Sequence, residues 1–365
     1  EKIIRIEYGG GDPTSPMSYT VTTILNSIGG DPDRWYAPSI SDNDLDGDGD
    51  LEIVIPNRNG SATGQPQLLV LDHSTFSWDY DGVQNGYTHL APGWSRMAVA
   101  EKSIHDSLFQ TDPTGNSRTA IGGMDMDGDT KKEVIVTDYA GGRVIVYEYD
   151  SGNNAFDVVW MSPVVESRNH SANPRTVNVG DLDGDQKPEI VFPSSNVDAE
   201  GYHIYEWDGV TGSDNYGTQP SSICKTEVDV CCAADEGAGF RGDHERLTIF
   251  DIDGDGQQEL ITAIRRGSPR GTLISSLGAA DDIVHNSGGG LETWSQEFFN
   301  DNSNYGGGSP YQALPADLNG DGKYELVNHH WNNFLFYNIT STGADAYTAP
   351  DTGAAAVDAY FEATA

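Results

Sequence analysis

Asp44-Leu45-Asp46-Gly47-Asp48-Gly49-Asp50-Leu51-Glu52 is the stretch whose reading decides the fold. Carboxylates at positions 1, 3 and 5 of a short turn converge on one centre, which suits a hard cation taking roughly six to eight oxygens, and glycine lets the backbone close around it. Directly behind it, Glu52-Ile53-Val54-Ile55-Pro56 reads as a β-strand. The arrangement returns four times: Asp125, Asp127, Asp129 with Glu133; Asp181, Asp183, Asp185 with Glu189; Asp251, Asp253, Asp255 with Glu259; and Asp317, Asn319, Asp321 with Glu325. Every copy keeps an acid at position 9, and the starts are separated by 81, 56, 70 and 66 residues.

Strand-like runs fill the intervals. The second unit is the cleanest: Thr119-Ala120-Ile121, the loop, Val134 to Thr137, a Gly141-Gly142 turn, Val144 to Tyr149, a Gly152 turn, then Phe156 to Trp160. This predicts a four-stranded meander, repeated with variable insertions. No amphipathic helical periodicity competes with it. Sheets of this kind without helices to cover them pack face to face as the blades of a β-propeller. The expected architecture is therefore all-β, a single domain over residues 1–365 built of four-stranded antiparallel blades. Five blades match the five loops, with six or seven as the alternative. Strands near the termini, in 1–25 and 340–365, are expected in ring closure or in contact between subunits. The pair Lys2 to Tyr8 and Tyr19 to Leu25 resembles the third and fourth strands of the second unit, which places it on the last blade. Phe334 to Ile339 already offers a strand there, so one strand or pair is surplus.

The net charge of −37 narrows the partners. The loops hold twenty of the 57 acids, five in the first, four in each of the next three and three in the last. A surface this acidic repels nucleic acid and anionic membranes. No apolar run approaches the roughly 18 residues of a membrane-spanning helix. Cys224, Cys231 and Cys232 lie too close together to staple the fold. They read either as one local disulfide from Cys224 to Cys231 or Cys232, or as three thiols.

The recurring Asp-x-Asp-Gly-Asp loop followed by an acid and an apolar strand resembles the FG-GAP or VCBS repeat of integrin-α-like propellers, over roughly residues 35 to 340. EF-hands differ, since they need flanking helices and a glutamate at position 12. The resemblance implies that each loop joins the first and second strands of a blade and binds one Ca²⁺, about five in all. The implied ligands are the side chains at positions 1, 3 and 5, the carbonyl at position 7 (Asp50, Lys131, Lys187, Gln257, Lys323) and the acid at position 9. Two departures stand out: Thr130 and Gln186 replace glycine at position 6, where positive φ is expected, and Asn319 removes a charge, which predicts a weaker fifth site.

In a propeller, segments joining consecutive blades gather at one rim, and here they carry Arg34, Trp35, Arg168, His170, Arg241 and His244. Guanidinium, imidazole and aromatic groups suit a carboxylate or an acidic sugar. No Gly-x-Ser-x-Gly, zinc-binding or phosphate-cradling motif accompanies them. The expected function is a secreted, non-catalytic, Ca²⁺-stabilised module for adhesion or binding, or a self-assembling filament or surface-layer subunit polymerising through its terminal strands. Secretion follows from loops that fill most readily at extracellular calcium levels. Its partners are then further copies of itself or an extracellular glycan or protein, with no nucleic acid and no membrane insertion. The alternative is a carbohydrate-active enzyme, such as the rhamnogalacturonan-type polysaccharide lyases whose propellers carry similar loops, or a lectin.

Overall fold

Strands on both sides of the second to fifth acidic loops pair antiparallel, so the loop is the turn that forces the chain back on itself. This is seen in a computed structural model that describes residues 2–27, 39, 44–57, 68–73, 87–90, 94–96, 98–99, 116–139, 141–152, 155–165, 174–194, 201–224, 244–264, 271–279, 281–289, 292–301, 310–317, 320–330, 334–337, 340–343 and 346–348. These residues form strands and one turn of 3-10 helix, Pro16–Ser18. Two compact units emerge, one of Glu1–Asp125, Thr130–Asp138 and Val146–Val159, the other of Met126–Asp129, Tyr139–Ile145 and Trp160–Ala365.

In chain order the first strands are β1 (Lys2–Tyr8), β2 (Tyr19–Ser27), β3 (Ile53–Pro56), β4 (Leu68–His73), β5 (Tyr87–Leu90), β6 (Trp94–Arg96), β7 (Ala98–Val99), β8 (Ala120–Met124), β9 (Glu133–Asp138), β10 (Arg143–Asp150) and β11 (Ala155–Met161). They make three sheets, ordered β1-β2-β5, β3-β4-β6 and β7-β11-β10-β9-β8. The third contains the expected meander with one addition, since β7 lies parallel to β11 and sets Ala98 opposite Ala155. β9 is buried along its whole length, and its apolar centre, Val134-Ile135-Val136, has no polar face to turn to solvent. The N-terminal hairpin differs from expectation. It joins β5, with Leu25 opposite Leu90, rather than the last sheet. Its apolar Ile24 and Leu25 bury with Ile53, Ile55, Leu69 and Leu71, and that burial decides its place.

The remaining strands are β12 (Asn178–Gly180), β13 (Glu189–Ser194), β14 (Gly201–Glu206), β15 (Ser222–Cys224), β16 (His244–Phe250), β17 (Glu259–Ile264), β18 (Gly271–Leu277), β19 (Trp294–Asp301), β20 (Pro310–Ala316), β21 (Glu325–His330), β22 (Phe334–Tyr337), β23 (Thr340–Gly343) and β24 (Ala346–Thr348). β12 to β15 and β16 to β19 are four-stranded antiparallel meanders; β20 to β22 form a three-stranded sheet and β23-β24 a separate hairpin. The rest of the C-terminal region expected to carry a strand, residues 349–365, lies outside the described residues. Buried Cys224 ends β15, whereas Cys231 and Cys232 lie outside them.

First strands of consecutive sheets meet closely. Asn178 Nδ2 donates to the Leu247 carbonyl at 3.0 Å and Thr248 Oγ1 to that of Ala313 at 3.1 Å. Gly180 permits the approach, because a Cβ there would lie 2.4 Å from Ile249 Cγ2. Leu182, Val191, Tyr202, Ile204, Leu247 and Leu260 share one apolar cluster between the third- and fourth-loop sheets, and Ile252, Ile261, Ile274, Ala313 and Leu326 share the next. Among the described residues, no helix is long and apolar enough to cross a membrane.

Candidate metal centres

Each acidic loop is a turn in which the side chains of odd positions bind the backbone amides of the following residues. In the fourth loop Asp251 Oδ1 accepts from Gly254 N at 2.7 Å and its Oδ2 from Gly256 N at 3.0 Å, while Asp253 accepts from Asp255 N and Asp255 from Gln257 N. The third loop repeats this through Asp183 to Asp185 N, Asp181 to Gln186 N, and Asp185 to Lys187 N. Asp44 likewise holds Gly47 N, Asp125 holds Thr130 N, and Asp317 holds Gly320, Asp321 and Gly322 N. The geometry needs left-handed backbone at positions 4 and 6. Position 6 has φ of +95° at Gly49 and +99° at Gly256, and the chain imposes +80° on Thr130 and +71° on Gln186. Those two side chains sit where L-residues are disfavoured by about 1–2 kcal/mol, so the loop's amide network overrides local preference.

Position 2 and position 9 anchor the turn. Leu45, Met126, Leu182 and Ile252 at position 2 are buried. Their neighbours across the loop, Glu52, Glu189 and Glu259, are buried too, and one oxygen of each accepts from the amide of Leu45, Leu182 and Ile252 respectively. The other oxygen of Glu52 and of Glu189 is buried without a hydrogen-bond partner. In the third and fourth loops that acid joins the aspartates: Asp181, Asp183, Asp185 and Glu189 form one group, and Asp251, Asp253, Asp255 and Glu259 another, with candidate ligand atoms within 4.8 Å of one another. Asp44, Asp46 and Asp48 form a third group and Asp125, Asp127 and Asp129 a fourth. Such clusters can hold a metal ion. Asn319 lies outside the described residues.

The lysines at position 7 have a role that the sequence did not disclose. Lys131 pairs with Glu148 on β10, and Lys187 with Asp185 and, at 3.6 Å, with Glu206 on β14. Gln257 in the same place donates to the Leu277 carbonyl at 2.7 Å. Of the six side chains proposed for a rim site, Arg34, Trp35, Arg168, His170 and Arg241 lie outside the described residues. His244 opens β16, its backbone opposite Ile264.

Without a cation, burial foremost, then repulsion from Asp46, Asp72 and Asp44, pushes the Glu52 carboxyl from 4.5 up to about 8 against the pull of the Leu45 amide. Burial raises Glu259 to about 9 and Glu189 well above its ordinary value. The folded chain then holds protons that the unfolded chain releases near 4.5, so stability is lost as pH rises through the folded values. A divalent ion that takes the proton's place removes the loss. In chelator, Tm is expected to fall as pH rises from about 5 to about 9, and calcium to abolish most of that fall. Thermal melts across this range check it, and a Tm that climbs with pH in chelator contradicts it.

Residues 125–192, from the second loop into β13, match the family model of the FG-GAP-like repeat. Among curated proteins, the chain is similar to rhamnogalacturonan exolyase YesX of Bacillus subtilis, with 24% identity over 44% of this chain and 28% of that protein. Rhamnogalacturonan endolyase YesW of the same bacterium is 22% identical over the same two shares. Cartilage acidic protein 1 of Mus musculus is 24% identical over 76% of this chain and 46% of its own length. The chain thus spans less than a third of the two lyases and less than half of the cartilage protein. The stretch from Asp125 to Phe192 is an FG-GAP-like repeat, consistent with an FG-GAP or VCBS-repeat protein.

Proposed function

We propose that the chain is a calcium-stabilised β-propeller of five blades, non-catalytic and extracellular, that serves as a binding or self-assembling module. The position-9 acid carries this reading. Glu52 and Glu189 each bury one carboxylate oxygen with no hydrogen-bond partner, in loops where three aspartates converge. Burying such an oxygen is unfavourable unless positive charge meets it. An all-oxygen turn that recurs along the chain suits Ca²⁺, which tolerates irregular coordination better than Mg²⁺ does. About five ions are proposed, each held by the side chains at positions 1, 3 and 5, the carbonyl at 7 and the acid at 9, with the Asn319 site the weakest. Calcium bound only by the folded chain stabilises it by mass action, so chelation is expected to lower Tm by more than about 10 °C. An unchanged melting curve overturns the reading.

Similarity to two rhamnogalacturonan lyases supports the alternative of a polysaccharide lyase. Incubation with rhamnogalacturonan in calcium separates the two. The non-catalytic reading expects no rise in the absorbance of unsaturated products, and a sustained rise makes the chain an enzyme.

Self-assembly has its own support at the N-terminal hairpin. Ile4, Ile6 and Tyr8 on edge strand β1 and Val21 on β2 lie on one face and are 49%, 59%, 52% and 61% exposed. An apolar face beside an open strand edge suits pairing with another copy. Light scattering in calcium is expected to give a mass above the 39.3 kDa of one chain, and Ile6→Glu with Val21→Glu to return it to that value. A monomeric parent chain refutes self-assembly.

A further inference from the structure

The third acidic loop is contacted by a segment a hundred residues further along. Between β18 and β19 the chain runs from Gly278 to Thr293, closed at its base by a Gly278 N bond to the Thr293 carbonyl at 2.8 Å. Its middle, 281–289, lies on the connection between β14 and β15. Asn286, at φ +56°, accepts with Oδ1 from Thr218 N at 2.8 Å and Gln219 N at 3.0 Å, and its own amide donates to Ser221 Oγ. Ser287 Oγ donates to the Ser221 carbonyl, Gly288 N to that of Pro220, and His285 Nδ1 meets that of Glu206 at 2.6 Å. The segment is thereby fixed in register and forms a strap.

At its leading end the strap reaches the loop itself. Ile283 N donates to Asp183 Oδ2 at 2.7 Å, and the Ile283 side chain is fully buried in the cluster that holds Leu182, position 2 of the loop. The residue before it, Asp282, is a side-chain hydrogen-bonding neighbour of Asp183. Two neighbouring carboxylates repel unless a shared proton or a cation lies between them. Glu189, fully buried in the same group, supplies an oxygen without a hydrogen-bond partner, which marks where that charge belongs.

We propose that the cation of the third loop is bound jointly by two consecutive sheets, with Asp282 of the β18–β19 strap as an additional carboxylate for the ion held by Asp181, Asp183, Asp185 and Glu189. The Ile283 amide positions Asp183, and the ion in turn holds the strap in place. The second loop follows the same plan one sheet earlier. There the β14–β15 connection sets Gly212 N 3.1 Å from the Asp127 carbonyl and brings Asp214 into a carboxylate group with Asp127. A following sheet that adds an acid to the preceding loop makes ion binding a bond between repeats. This rests on the calcium reading above.

Calcium titration calorimetry of the full chain, Asp282→Asn and Asp12→Asn tests it. Asp12 is an exposed acid bonded to Thr14, so its variant matches the charge change alone. One class of site in Asp282→Asn is expected to weaken by about 10-fold or more while Asp12→Asn behaves as the parent. Asp282→Glu, which keeps the charge, is expected to recover part of the affinity. Hydrogen exchange supplies a second readout: calcium should protect the amides of 281–289 in the parent and not in Asp282→Asn. Unchanged titration and unchanged protection in Asp282→Asn overturn the shared site while leaving the calcium reading intact. A parent chain that takes up no calcium overturns both.

Discussion

Like charges forced together between the first two strands of successive sheets are the constraint on which the rest depends. Two unit charges 4.8 Å apart in a partly buried setting repel by about 3 kcal/mol, and the third and fourth loops each gather four carboxylates at that spacing. Such an arrangement persists only because the backbone is over-determined. Every aspartate oxygen spent on an amide fixes one φ/ψ pair, and the position-2 side chain pins the turn to the core. The loop is thus built to keep its acids together rather than to let them relax apart.

That rigidity spreads outward. Leu182 and Ile252 belong to different apolar clusters, each lying between two sheets, so the residue whose amide is held by the position-9 acid also helps bind neighbouring repeats. Close approach of the first strands at Gly180 adds a steric condition. Removing charge compensation from one loop therefore loosens more than one turn, since the same residues connect electrostatics to packing.

Much of this was legible in the sequence, because an acidic loop is a local object. Spacing of the acids, glycine at position 4 and the apolar run behind position 9 placed β8 to β11 nearly residue by residue. The left-handed demand at Thr130 and Gln186 was readable for the same reason. Pairing of the N-terminal hairpin with β5 was not, since Tyr87 to Leu90 sits in a long stretch of sequence with no acidic loop to mark it, and strand partnership over that distance leaves no periodic trace. Nor was the strap readable. Asn286, Ser287 and Gly288 look like ordinary turn residues, and their partners are backbone groups that any sequence would offer.

Position 7 shows how unequally the repeats compensate their own charge. Glu189 and Glu206 lie directly opposite on β13 and β14, a like-charge pair that destabilises a sheet unless a cation intervenes. Lys187 supplies one from within the chain, and it opposes the burial that nonetheless pushes Glu206 up to about 7. Lys131 does the same service for Glu148. β18 ends in Ser275-Ser276-Leu277, with no acid to neutralise, and Gln257 binds a carbonyl instead. The first loop has neither device: Asp50 occupies position 7, five acids fall within nine residues, and Glu52 is buried behind them. With no lysine at position 7, the first loop leaves that density without an ammonium of its own.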